Sequence, residues 1–160
     1  MKNSLLLLLT ILFSYGVTKA QNTPMTHDGA THVMVNASDL KWGDAPPGLP
    51  KGAQVTVLAG DPSKEGMFTL RAIFPANYKI PPHWHPTTEN VSVLEGTLYM
   101  GGGETFDESK ATALKEGGFS SIPEKTAHYA FTKKKCTIQV HAMGPFQITY
   151  YNPADDPRNK

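Results

Sequence analysis

Ile80-Pro81-Pro82-His83-Trp84-His85-Pro86-Thr87-Thr88-Glu89-Asn90-Val91-Ser92-Val93-Leu94-Glu95-Gly96 is the stretch on which the reading of this chain turns. On an extended strand, positions i and i+2 face the same side, so His83 and His85 present two imidazoles together. Glu89 follows four residues later, close enough to join them from the next strand. Prolines 81, 82 and 86 restrict the backbone around the pair, and Ile80 and Trp84 supply apolar neighbours that would exclude water. Asn90–Glu95 reads as a strand, and Gly96 suits a tight hairpin into Thr97–Gly101.

Outward from this stretch the chain reads as short strands between turns. Thr31–Ala37, Ala53–Ala59 and Met67–Phe74 precede it; Gly117–Ile122, Ala127–Thr132, Cys136–Ala142 and Phe146–Tyr151 follow. In Met67–Phe74, residues Phe68, Leu70, Ala72 and Phe74 share one face, with Thr69 and Arg71 on the other. A short helix is expected around Ala111–Leu114, and Pro153–Lys160 is a polar tail. Lys41–Gly52, rich in proline and glycine, reads as a loop with Trp42 as a packing anchor. Glycine (14) and proline (13) make up about 17% of the 160 residues, against a usual ~12%. About ten short strands with regular turn signals indicate an all-β single domain, a sandwich or barrel.

The first twenty residues read separately. Lys2, an apolar run over Leu5–Phe13, and Thr18-Lys19-Ala20 before Gln21 have the layout of a secretory signal peptide. The run is too short for a membrane span, which needs roughly 20 apolar residues. The expected working domain is therefore residues 21–160, with a barrel core at about 53–151. It would be exported to the periplasm or the extracellular space after cleavage near Ala20, with no stable membrane insertion. Lys plus Arg (15) nearly balances Asp plus Glu (14). Losing Lys2 and Lys19 moves the formal charge from +1 to −1, which argues against a nucleic-acid binder. The single cysteine, Cys136, excludes an intrachain disulfide and any thiolate-cluster zinc site. It reads as a small buried residue in a strand.

A protein metal site needs three or four convergent N or O donors. His83, His85, Glu89 and His128 could supply three imidazoles and one carboxylate, although HxH pairs also arise by chance on exposed strands. Two motifs carry a resemblance. His83-x-His85-x3-Glu89-x6-Gly96 fits the core of the first cupin motif, and Gly117-x5-Pro123-x-Lys125-x2-His128-x3-Thr132 fits the second. Cupins usually have glycine where Lys125 and Asn77 stand here, and asparagine at Thr132. The chain thus resembles the cupin superfamily, in particular small single-domain exported bacterial cupins. The resemblance implies a jelly-roll β-barrel of two packed sheets. It also implies one divalent transition metal inside (Fe, Mn, Ni, Cu or Zn), held by His83, His85, Glu89 and His128.

Other polar residues read less sharply. Arg71 could anchor a substrate carboxylate, because its fork pairs bidentately with one; a solvated strand face is the plainer expectation. His141 reads either as a substrate contact beside the metal in the barrel interior or as a structural histidine. His27 and His32 read as surface or dimer-edge groups, and Lys133–Lys135 as a solvated turn. Tyr99, Met100, Phe119, Tyr129 and Phe131 read as core or barrel lining. The resemblance implies a metal-dependent enzyme with dioxygenase-, isomerase- or decarboxylase-like chemistry on a small organic molecule. The alternatives are a non-catalytic module that binds or senses a small molecule or metal, and a metal-free sugar-binding cupin. Cupins of this kind often pair as homodimers, and Thr31–Ala37 is the strand expected to pair.

Overall fold

The computed structural model describes residues 32–160. The expected signal peptide, the Ala20 cleavage site and His27 lie outside the described residues. Eleven strands form among those described: β1 Gly43–Asp44, β2 Gln54–Ala59, β3 Gly66–Phe74, β4 Lys79–Trp84, β5 Glu89–Glu95, β6 Thr97–Gly102, β7 Thr112–Lys115, β8 Phe119–Ile122, β9 His128–Phe131, β10 Cys136–Gly144 and β11 Thr149–Tyr150. They make two sheets, one ordered β1-β2-β3-β10-β5-β8 and the other β11-β4-β9-β6-β7. Every pairing is antiparallel. This is the all-β, cupin-type jelly roll expected from the motifs.

Alternation writes the core. On β3, Phe68, Ala72 and Phe74 are buried, whereas Met67 is exposed and Arg71 half-buried. The partner strand repeats the pattern: Cys136, Ile138, Val140 and Ala142 are buried. They pair in register with Phe74, Ala72, Leu70 and Phe68. Val91 and Val93 of β5 and Leu98 of β6 complete the apolar layer. Burying each such side chain stabilises the fold by roughly 1.5–3 kcal/mol relative to exposure. Gly96 turns β5 into β6 at a φ of +82°, and a Cβ there would stand 2.6 Å from the Lys135 carbonyl oxygen. Only glycine fits that position.

Four expectations fail here. Inside Lys41–Gly52, read as a loop, Gly43–Asp44 forms strand β1 and pairs with Val55 and Gln54 of β2. Val33–Asn36 forms no strand and leads into a 3-10 turn at Ala37–Asp39; the stretch is exposed and pairs with neither sheet. The region around Ala111–Leu114 is not helical: Leu114 pairs with Leu98 and Ala113 with Tyr99 across the β6–β7 ladder. Tertiary pairing there overrides local helix propensity, and the short helix is a 3-10 turn at Glu108–Lys110. Phe119 is not core. It lies opposite Ser92 on the outer face and is 56% exposed, while the same strand buries Ile122.

Candidate metal centre

β4 and β9 bring His83 opposite His128 as register partners. The inward direction of His83 depends on an irregularity. Ile80 pairs with Ala130 and His83 with His128, so β4 carries one extra residue, at Pro81-Pro82. Ile80 and His83 are an odd number of residues apart and would face opposite sides of a regular strand. The bulge returns His83 to the interior beside Ile80, and prolines suit it because they donate nothing to the ladder. His85 follows one residue beyond the end of β4, and Glu89 opens β5 in the other sheet.

His83, His85 and His128 each offer a nitrogen within 4.8 Å of the others. All three are 4–6% exposed. Each ring is aimed by its far nitrogen: His83 Nδ1 bonds Pro81 O at 2.7 Å, His85 Nδ1 bonds Gln147 O at 2.7 Å, and His128 Nδ1 bonds Thr126 O at 2.9 Å. A carbonyl only accepts, so each Nδ1 carries the proton and each Nε2 keeps its lone pair. Phe146 stacks on the His85 ring at 4.2 Å, and Tyr150 lies 5.9 Å from the His83 ring. The Glu89 Oε2 stands 3.7 Å from His85 Nε2 and 3.4 Å from His128 Nε2.

The electrostatics follow from burial and from one carboxylate. Burial pushes the His83 imidazole down to about 3, and its two histidine neighbours add to the effect. Burial also lowers His85, against the pull of Glu89. Burial opposes charging of His128 as well, but there the Glu89 carboxylate outweighs it and the pKa rises. Burial alone would raise Glu89; the histidines, led by His128, outweigh it and hold the carboxyl below its usual range. His128 Nε2 is fully buried and makes no well-formed hydrogen bond among the described residues, with the Glu89 oxygen standing off at 3.4 Å. An orphaned buried nitrogen needs an explanation, and a cation among three lone pairs and a carboxylate provides one. The residues therefore fit a divalent transition metal in a mixed N/O site. Cys136 is not among the converging donors, and burial pushes its thiol up to about 11.

The departures from the cupin pattern are absorbed locally. Asn77 and Lys125 both adopt the left-handed conformation that glycine would take, at φ of 58° and 57°. Lys125 N–H donates to His85 O at 2.8 Å, tying the turn before His128 to the other histidine segment. Thr132, which is buried, donates its hydroxyl to Pro75 O at 2.6 Å and accepts from Tyr78 N at 3.2 Å. It thereby clamps the turn that contains Asn77. Two other expected site residues are not brought to the cluster. His141 shares the outer face of β10 with Gln139, not the barrel interior, because Ile138, Val140 and Ala142 take the inner face. Arg71 also lies on the outer face, with its Nε donating to Gln139 Oε1 at 3.1 Å. Sequence reasoning missed Phe146 and the Gln147 carbonyl. Both meet His85 from about sixty residues away, and no local pattern signals such a contact.

Comparison with solved structures shows the same fold. The polyketide cyclase RemF from Streptomyces resistomycificus superposes with a TM-score of 0.65 at 21% identity, over 79% of this chain and 90% of that one. A putative acetylacetone dioxygenase from Methylibium petroleiphilum PM1 gives 0.62 at 16%, over 83% and 90%. An RmlC-like cupin from Shewanella frigidimarina NCIMB 400 gives 0.55 at 13%, over 71% and 91%. None of the curated proteins matches the sequence. The sequence profile described as a domain of unknown function (DUF4437) matches residues 13–149. That is most of the chain, and the protein therefore belongs to the DUF4437 family, here seen as a cupin-type barrel.

Proposed function

We propose that this protein is an exported metal-dependent cupin enzyme acting on a small organic molecule, with one divalent transition metal held by His83, His85, His128 and Glu89. The observation that carries the reading is the set of three pinned imidazoles, each Nδ1 given to a backbone carbonyl and each Nε2 left for a ligand. The structural similarity to a polyketide cyclase and a putative acetylacetone dioxygenase supports small-molecule chemistry in this kind of barrel. The Lys2–Ala20 pattern supports export. A bound metal would act as a Lewis acid toward an oxygen-bearing substrate. The chain's own residues set the stage for that. The carbonyl bonds fix the tautomer and aim of each ring. Glu89, held ionised, offsets cationic charge, and Phe146 and Tyr150 screen two of the imidazoles from water. Glu89 cannot both ligate and serve as a free base.

The position of Glu89 also favours a second reading. Its Oε2 faces two of the three Nε2 atoms. A four-coordinate ion bound by all four side chains would be closed, making the protein a binding module and not a catalyst. Protein from the exported fraction should contain about one transition metal per chain. A His83→Ala/His128→Ala double variant should contain almost none. Equal metal in wild type and double variant rejects the site. X-ray absorption on the loaded protein separates the two readings: five or six coordination supports the enzyme, and a closed four-coordinate shell supports the module. Oxygen uptake with catechols, flavonols and small thiols then tests for turnover.

A further inference from the structure

We infer that the outer face of the six-stranded sheet carries a second binding site, separate from the histidine cluster, for small organic carboxylates with a short apolar chain. Arg71, Thr69 and Gln139 line an open cavity of about 590 Å³ together with Val33, Val35 and Leu58. Arg71 is half-buried at mid-strand, between Thr56 of β2 and Gln139 of β10. Its Nε is committed to the Gln139 side chain. Among the described residues no carboxylate pairs with it. Among the described residues its one side-chain hydrogen bond is that of Nε, so the edge formed by Nη1 and Nη2 meets no acceptor there and presents the parallel geometry that a carboxylate accepts bidentately.

The rest of the cavity supplies the other half of such a ligand. Val33 and Val35 are 48% and 47% exposed although they belong to an apolar stretch, and they face the cavity together with Leu58. A cation beside aliphatic side chains suits a molecule with a carboxylate head and a few methylene groups. A phosphate would use the fork but leave the apolar wall wet. A hydrocarbon or alcohol would cover the wall but leave the guanidinium without a counter-charge.

The probes are octanoate, octanol and inorganic phosphate, followed through the methyl NMR signals of Val33, Val35 and Leu58 in the full protein. Octanoate should shift these signals and saturate. At equal concentration octanol and phosphate should bind at least tenfold more weakly. Arg71→Gln should weaken octanoate at least tenfold, Arg71→Lys by less, with metal content unchanged in both. A Leu58→Glu variant would present its own carboxylate to Arg71 and should block octanoate, which covers the case in which the arginine variants fold poorly. Octanoate shifts that persist undiminished in Arg71→Gln and Leu58→Glu would overturn the proposal. So would equal binding of phosphate. A wild-type dimer that dissociates on Arg71→Gln without any octanoate binding would assign the carboxylate to a second copy of the chain, which also overturns it.

Discussion

His128 and His141 sit on strands of the same barrel, and the two imidazoles live in opposite surroundings. His128 is 5% exposed, its Nδ1 is bonded to Thr126 O, and its Nε2 is aimed at Glu89 and two other rings. His141 is half-buried on the outer face, and its ring makes no side-chain hydrogen bond among the described residues. Residue type is the same; preorganisation is not. A buried nitrogen with one partner supplied and one withheld is poised for a ligand, because it has lost its water and cannot relax toward another acceptor. A half-buried ring on the outer face has neither constraint.

The sharpest way to break this contrast is by single substitution. His128→Ala should abolish stoichiometric metal, whereas His141→Ala should leave it at the wild-type level; elemental analysis of the purified variants reads this directly. Equal loss from both would show that the outer histidine belongs to the site after all. Next in size is Glu89→Gln, which removes the charge and keeps the shape. Metal affinity should fall by at least about 10-fold, since altering even a group that only hydrogen-bonds a metal ligand costs about that much. Competition with a chelator measures it.

The same contrast has a pH signature in metal-stripped protein. His83, lowered to about 3, and His85, also lowered, bind fewer protons folded than unfolded below their usual value of 6.5. Their contribution to stability is present above about pH 6.5 and is lost as pH falls. Glu89, lowered from 4.5, adds to the acid loss below that value. His128, raised, acts the other way: its contribution is full below 6.5 and fades as pH rises through its folded value. Below pH 6.5 the His128 contribution no longer changes, so the two lowered histidines give a net loss of stability as pH falls, by at most about 1.4 kcal/mol per pH unit per group. Denaturation midpoints of stripped protein from pH 7 to 4 check it, and His83→Gln should flatten the slope. His141→Gln should leave it unchanged.

The smallest effect expected is at Lys125. A non-glycine residue in the left-handed region costs about 1–2 kcal/mol, and glycine returns part of that while making the unfolded chain more flexible. Lys125→Gly should raise stability by up to about 1 kcal/mol with unchanged metal content, read by urea denaturation. A loss of stability would mean that the lysine side chain itself supports the turn.

Much of this was legible in the sequence, for reasons that can be named. The period of two over Phe68–Phe74 identifies a strand with one buried face, because pleating alone sends alternate side chains to opposite sides. The same period placed Arg71 opposite that stripe, and there the structure finds it. For His141 the needed signal was present in Ile138, Val140 and Ala142, whose apolar face is the one that must turn inward. The Thr31–Ala37 strand and the Ala111–Leu114 helix failed for a different reason. Both are short segments whose state depends on whether a partner strand is available: β6 was there for Thr112–Lys115, and among the described residues none met Val33–Asn36.

By itself the sequence determined most of the strand pattern, the hairpin at Gly96, and which four side chains could form a mixed N/O donor set, since these depend on local sterics and on spacing along the chain. Only the tertiary structure decided how those donors are aimed. The bulge at Pro81-Pro82 turns His83 inward, the Gln147 carbonyl and the Phe146 ring hold His85 from far along the chain, and Thr132 clamps the turn at Asn77. Such contacts join residues distant in sequence, and they form only when the two sheets close on each other and exclude water between them.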